Sequence, residues 1–163
     1  MQNSFLNSVT KPVIIEYENQ KTLNALQAVS NGLTISEENI IVEDNSFVNY
    51  YYTLSNNGET EGYLLSLSAV GYGGQISLVA SYNKEGEVLQ AKVVSDSETP
   101  GLGKKSEEDW YMTKYIKKDP VPTKKTQLSA EDAQAVSGAS ITFTAIGNAL
   151  QAGSTYVKDM GAN

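Results

Sequence analysis

The chain has 163 residues, 40% hydrophobic and 19% charged, with a net charge of -7. That is the size and balance of one globular domain able to bury a real core, and the acidic excess argues against nucleic acid or anionic lipid as partners. With no cysteine and no histidine, disulfides, iron–sulfur clusters, Cys/His zinc sites and His-dependent nucleophiles are excluded, so any redox chemistry must come from an organic cofactor.

Residues 1–12 are polar and turn-rich and read as a linker, with the folded domain running from 13 to 163. No run approaches the ~18 apolar residues of a membrane-spanning helix, and no signal peptide is visible. From about Ile14 to Asn31, the spacing of Ile15, Leu23, Leu26, Val29 and Leu33 predicts an amphipathic helix closed by Asn31-Gly32. Ile40-Ile41-Val42 is a short strand candidate, and Phe47 to Leu54, rich in Val, Tyr and Thr, reads as a strand. Asn56-Asn57-Gly58 supplies a turn. Tyr63, Leu65, Leu67 and Ala69 then alternate along a strand that runs into Gly71. Tyr50, Tyr51 and Tyr52 fit half-buried strand surface, with a stacking platform for a flat ligand as the other reading.

Ile76, Leu78, Ala80 and Tyr82 alternate again, Asn83 to Gly86 makes a hairpin loop, and Val88 to Ser95 returns. Ser81-Tyr82-Asn83-Lys84 matches S-x-x-K only formally, because a strand end cannot present that pair as the chemistry requires. Ser106-Glu107-Glu108-Asp109 resembles a capping box opening a short helix with Trp110, Tyr115 and Ile116, closed by Lys117 and Lys118. Trp110 is expected in the core under the Glu98–Gly103 loop, with a contact to a bound ligand as the other reading. Pro120 and Pro122 keep residues 119–125 extended or looped, and Ser129 begins a single helical turn. From Ile141 onward, Ile146, Ala149, Leu150, Gly153, Tyr156, Val157 and Met160 mark one face of a long helix. The predicted fold is α+β: a twisted antiparallel sheet from about Phe47 to Ser95, flanked by N- and C-terminal helices.

Three short stretches stand out. Ser137-Gly138-Ala139-Ser140-Ile141-Thr142-Phe143-Thr144 puts hydroxyls and small residues at the start of that long helix. Free N–H groups and the positive dipole end there suit a phosphate, while the same residues alone also describe an ordinary N-cap. Glu98-Thr99-Pro100-Gly101-Leu102-Gly103 is a Pro-Gly turn, and Gly71-Tyr72-Gly73-Gly74 is a second permissive loop holding one aromatic.

In this order and at these spacings, G-Y-G-G, E-T-P-G-L-G and S-G-A-S-x-T resemble the FMN-binding domain family. Its members include the RnfG subunit of the Rnf ferredoxin:NAD oxidoreductase complex and the NqrC subunit of the sodium-pumping NADH:quinone reductase. The resemblance implies FMN held covalently, through a phosphoester made by a flavin transferase to a hydroxyl at the position of Ser140. The chain has Ser140 where the family has Thr, Gln134 where it usually has Asp, and Phe143 where it has Ser. The resemblance further implies a cofactor site formed by Ser140, Ser137, Gly138, Ala139 and Thr142, by Glu98, Thr99, Pro100, Gly101, Leu102 and Gly103, and by Tyr72 and Gly73. Thr99 and Leu102 would meet the flavin ring, and Thr144 is expected to turn away from the cleft. Family members usually carry an N-terminal membrane helix. By resemblance the chain is a soluble domain on the extracytoplasmic face, just after such an anchor.

Three functions stay open on these grounds. The first is an electron-carrying subunit of a membrane redox complex, with the other subunits and the transferase as partners. The second is a solitary extracytoplasmic flavin carrier in extracellular electron transfer, and the third a non-redox binding module whose serine is only a cap. A flavin held without any His or Cys acid–base set suits electron relay better than substrate turnover.

Overall fold

In a computed structural model, residues 10–14, 20–70, 74–96, 106, 109–118, 120–136 and 140–162 are described. Seven strands form one antiparallel sheet: β1 (Thr10–Ile14), β2 (Thr34–Ile35), β3 (Glu38–Val42), β4 (Val48–Asn56), β5 (Glu59–Val70), β6 (Gln75–Asn83) and β7 (Val88–Asp96). The order is β1-β3-β4-β5-β6-β7, with β2 paired to the end of β4. Helix α1 (Gln20–Val29) precedes most of the sheet, and α2 (Asp109–Met112), α3 (Ala130–Ala135) and α4 (Ser140–Ala162) follow it. The architecture is α+β, as expected. Strand β1 begins inside the stretch expected as a linker, pairing with β3 from Thr10↔Val42 to Ile14↔Glu38. Ile14, expected to open the first helix, pairs with Glu38 in β1 instead, and the described part of that helix is Gln20–Val29.

The two faces of the sheet bury different helices. Leu64, Tyr52, Leu54 and Val79 pack with Ala25, Leu26 and Val29 of α1. Leu65, Leu67, Ala69, Ile76, Leu78, Ala80 and Tyr82 pack with Phe143, Ile146, Ala149, Leu150 and Val157 of α4. Each strand residue alternates between the two cores because the side-chain period of a strand is two. A bulge at Asn49 turns β4 over, so Val48 joins the α4 side while Tyr50 and Tyr52 join the α1 side. The β4–β5 turn has Asn57 and Gly58 at φ 54° and 85°. That is the two-residue hairpin geometry for which Asn-Gly is suited.

Helix α4 is held along its length. The Tyr82 hydroxyl donates to the Leu150 carbonyl at 2.7 Å, and Gly153 lies directly on that ring, where a Cβ would collide. The Ser154 hydroxyl donates to the Gly86 carbonyl at 2.7 Å, and the Val121 N–H donates to Gln151 Oε1 at 2.8 Å. Nearer its start, the buried Tyr115 hydroxyl donates to the Phe143 carbonyl at 2.8 Å. Trp110, expected in the core, is 37% exposed, and the core position next to it belongs to Tyr111. Helix α2 is one turn long, and its register points Tyr111 and Met112 inward instead, with Tyr115 of the following turn buried beside them.

Candidate functional site

The last pair of the β5–β6 ladder is Val70↔Gln75, and the β6–β7 ladder closes with Ile76↔Asp96. The chain therefore leaves the sheet toward 71–73 and toward 97–105 from the same end. The start of α4 lies over that end. Val70, Ile141, Thr144, Ala145 and Asn148 line an open groove of about 280 Å³. It continues into one of about 500 Å³ that shares Val70, Ala145 and Asn148 and adds Ser46, Phe47, Ser68, Ala69 and Gln75.

The groove mixes an apolar floor with a fixed polar wall. Val70 is 78% exposed and Ile141 53% exposed, although both flank well-packed elements. Ser68 Oγ accepts from Asn49 Nδ2 at 2.9 Å and from Gln75 Nε2 at 3.2 Å, which orients the hydroxyl and both amides. Asn45 Oδ1 accepts from the Phe47 and Val48 N–H groups at 2.9 and 3.0 Å, fixing the turn that presents Phe47.

Among the sequence-predicted site residues, Ser140 opens α4, a helix of 23 residues. Thr142 is buried at 2% exposure and is not among the groove-lining residues. Thr144, expected to turn away, lines the groove. It lies four residues beyond Ser140, about one turn along the same helix face. Tyr72, Gly73, Glu98, Thr99, Pro100, Gly101, Leu102, Gly103, Ser137, Gly138 and Ala139 lie outside the described residues. Val70, Ile141 and Asn148 were not singled out from sequence. A signal existed for Ile141: its step of five to Ile146 breaks the helical rhythm, and the buried stripe begins at Phe143.

Just ahead of α4, Ser129 caps α3, its hydroxyl accepting from the Asp132 N–H at 3.1 Å. Lys114 Nζ donates to Asp132 Oδ1 at 3.0 Å. That hydrogen bond, with the positive charge of Lys114, holds the Asp132 carboxyl below the ordinary aspartate value. Gln134 is exposed on α3.

A long helix that begins beside an open, partly apolar groove at one end of the sheet marks a candidate ligand-binding domain. The chain belongs to the FMN-binding domain family, whose model matches residues 71–154, about half of its length. Over 98 residues it is 31% identical to the G subunit of the proton-translocating ferredoxin:NAD(+) oxidoreductase complex of Clostridium ljungdahlii, covering 59% of this chain and 53% of that one. Over 118 residues it is 30% identical to the G subunit of the ion-translocating oxidoreductase complex of Methanosarcina acetivorans, covering 71% and 61%. The like-named protein of Shewanella piezotolerans is 35% identical over 92 residues, covering 50% and 42%. The chain thus spans about half the length of the curated relatives it matches. Among the described residues, no helix is long and apolar enough to cross a membrane.

The described residues fit the cofactor that this family binds. A helix start is the kind of place where N–H groups meet a phosphate, and the groove beside α4 combines apolar surface with amide and hydroxyl groups, as a flat heteroaromatic ring requires.

Proposed function

We propose that this chain is the FMN-carrying electron-transfer domain of an ion-translocating oxidoreductase complex, with FMN joined through its phosphate to the Ser140 hydroxyl. The observation that carries the reading is the position of Ser140. It is the first residue of α4, one turn from a groove at the sheet end from which the 71–73 and 97–105 segments depart. FMN, when bound, supplies one- and two-electron redox chemistry. The α4 N-terminus stabilises phosphate charge by about 0.3–1 kcal/mol when exposed, and more when partly buried. Val70 and Ile141 give the ring apolar contact, and Asn148 and Thr144 stand at its edge as polar groups of the same groove. Glu98 to Gly103, with Tyr72 and Gly73, complete the proposed ring contacts, and Ser137, Gly138, Ala139 and Thr142 the proposed surroundings of the phosphate.

The relatives bear the names of oxidoreductase-complex subunits, which supports other subunits of such a complex as partners; an extracytoplasmic position beyond an N-terminal anchor rests on the family resemblance alone. A phosphoester keeps the cofactor where no free FMN pool replaces it. A flavin transferase is the partner that would install it. Co-expression with such a transferase, followed by denaturation and gel filtration, tests the reading. Yellow colour staying with the unfolded chain supports it. A colourless chain from a host whose transferase labels a control substrate contradicts it.

A further inference from the structure

The positive charge of this chain is concentrated in one segment. Residues 113–125 hold five lysines and one acid, which leaves seven lysines against eighteen acids elsewhere. The fold brings three of those lysines, Lys114, Lys117 and Lys118, to one groove. Lys114, Lys117, Lys118, Pro120, Pro122, Leu128, Ser129 and Asp132 line much of a groove of about 720 Å³ between the turns after α2 and the start of α3.

Both walls are fixed by hydrogen bonds. The Lys117 N–H donates to the Val88 carbonyl at 2.9 Å, and Lys117 itself sits at φ 58°. Opposite it, Gln127 Oε1 accepts from the Thr123 and Lys124 N–H groups at 2.9 and 2.8 Å. Asp132, the carboxylate that lines the groove among the described residues, is engaged by Lys114. Lys117 and Lys118 are exposed, with the Leu128 and proline surfaces beside them.

We propose that this groove docks a carboxylate-rich segment of a partner protein, which names the partner chemistry of the electron-carrier reading and rests on it for that purpose. Local charge complementarity selects the acidic segment. Shape and the remaining charge disfavour an anionic membrane: a bilayer cannot enter a groove, and the acidic remainder of the chain is repelled by its surface. Helix α3, which forms one wall, ends five residues before Ser140.

The test uses the full chain without flavin, so its outcome is independent of flavin loading. Trp110 is the only tryptophan, and Lys114 Nζ lies 6.0 Å from the centre of its ring. Its emission therefore reports on the groove. The probe is a deca-glutamate peptide, titrated at about 20 mM and about 200 mM salt to vary screening. Lys117→Asn with Lys118→Gln is compared with Lys84→Glu, which lowers the net charge by the same two units; Asn tolerates positive φ. The double variant is expected to bind the peptide about three- to tenfold more weakly, with Lys84→Glu changing affinity by less than about twofold and higher salt weakening wild type. Lys118→Gln alone, expected to show part of the loss, serves if the double variant does not fold. No saturable binding by wild type, equal loss in both variants, or Lys117- and Lys118-dependent binding to phosphatidylcholine–phosphatidylglycerol vesicles overturns the proposal.

Discussion

The Tyr115 hydroxyl donates a 2.8 Å hydrogen bond to the Phe143 carbonyl, while the two rings stack with centroids 4.8 Å apart at 22°. Both residues are fully buried. The pair fastens the turn after α2 to the first turn of α4, so the direction in which that helix starts is set by a contact 28 residues away in sequence.

Removing only the hydroxyl, as in Tyr115→Phe, keeps the stack and leaves a buried carbonyl one partner short. A loss of about 1–2 kcal/mol is expected. Phe143→Ala also opens a cavity under α4 and should cost about 3–5 kcal/mol. Urea denaturation of the two variants beside wild type checks both values. Equal losses would mean that the stack contributes little.

Alanine substitutions along α4 should differ in sign. Ala is ordinarily worth up to about 1 kcal/mol over Gly inside a helix. At Gly147, a Cβ would strike the Pro122 backbone, and at Gly153 the Tyr82 ring. Both substitutions should destabilise despite the propensity gain. At Gly161 the nearest atom is the Lys84 carbonyl oxygen at 3.8 Å, an ordinary contact, so Gly161→Ala should be neutral to stabilising. Thermal melts of the three variants decide this.

Asp132 gives the expected pH dependence. Its carboxyl is held below the ordinary aspartate value of 3.8 by the Lys114 hydrogen bond first, then by charge and by Ser129. A depressed acid contributes stability above its unfolded value, and that contribution is lost as pH falls through the folded value. Carboxyl-carbon NMR should place the Asp132 midpoint below 3.8, and Lys114→Met should move it upward. An unchanged midpoint would contradict the assigned cause.

Much of the fold was legible because it follows from short-range rules. Alternation in β5 and β6, the Asn57-Gly58 turn, the Ser129 cap and the apolar stripe of α4 all follow from a period or a local hydrogen bond. What was missed depends on tertiary register. Trp110 and Tyr111 are neighbours in a one-turn helix, and only the position of Phe143 decides which of them is buried. Strand β1 has no clear alternation of its own and is defined by pairing with β3. At the site, the helix start at Ser140 was legible from its small and hydroxyl residues. The groove was not, because neither the alternation in β5 nor the apolar stripe of α4 says whether packing leaves Val70 and Ile141 uncovered.

Whether Ser140 carries the flavin is tested most directly by peptide-level mass mapping after co-expression with a flavin transferase. The expected result is an increment of FMN less one water on the peptide containing Ser140, lost in Ser140→Ala and retained in Ser137→Ala, Thr142→Ala and Thr144→Ala. An increment that persists in Ser140→Ala, or that maps to another residue, would contradict the assignment.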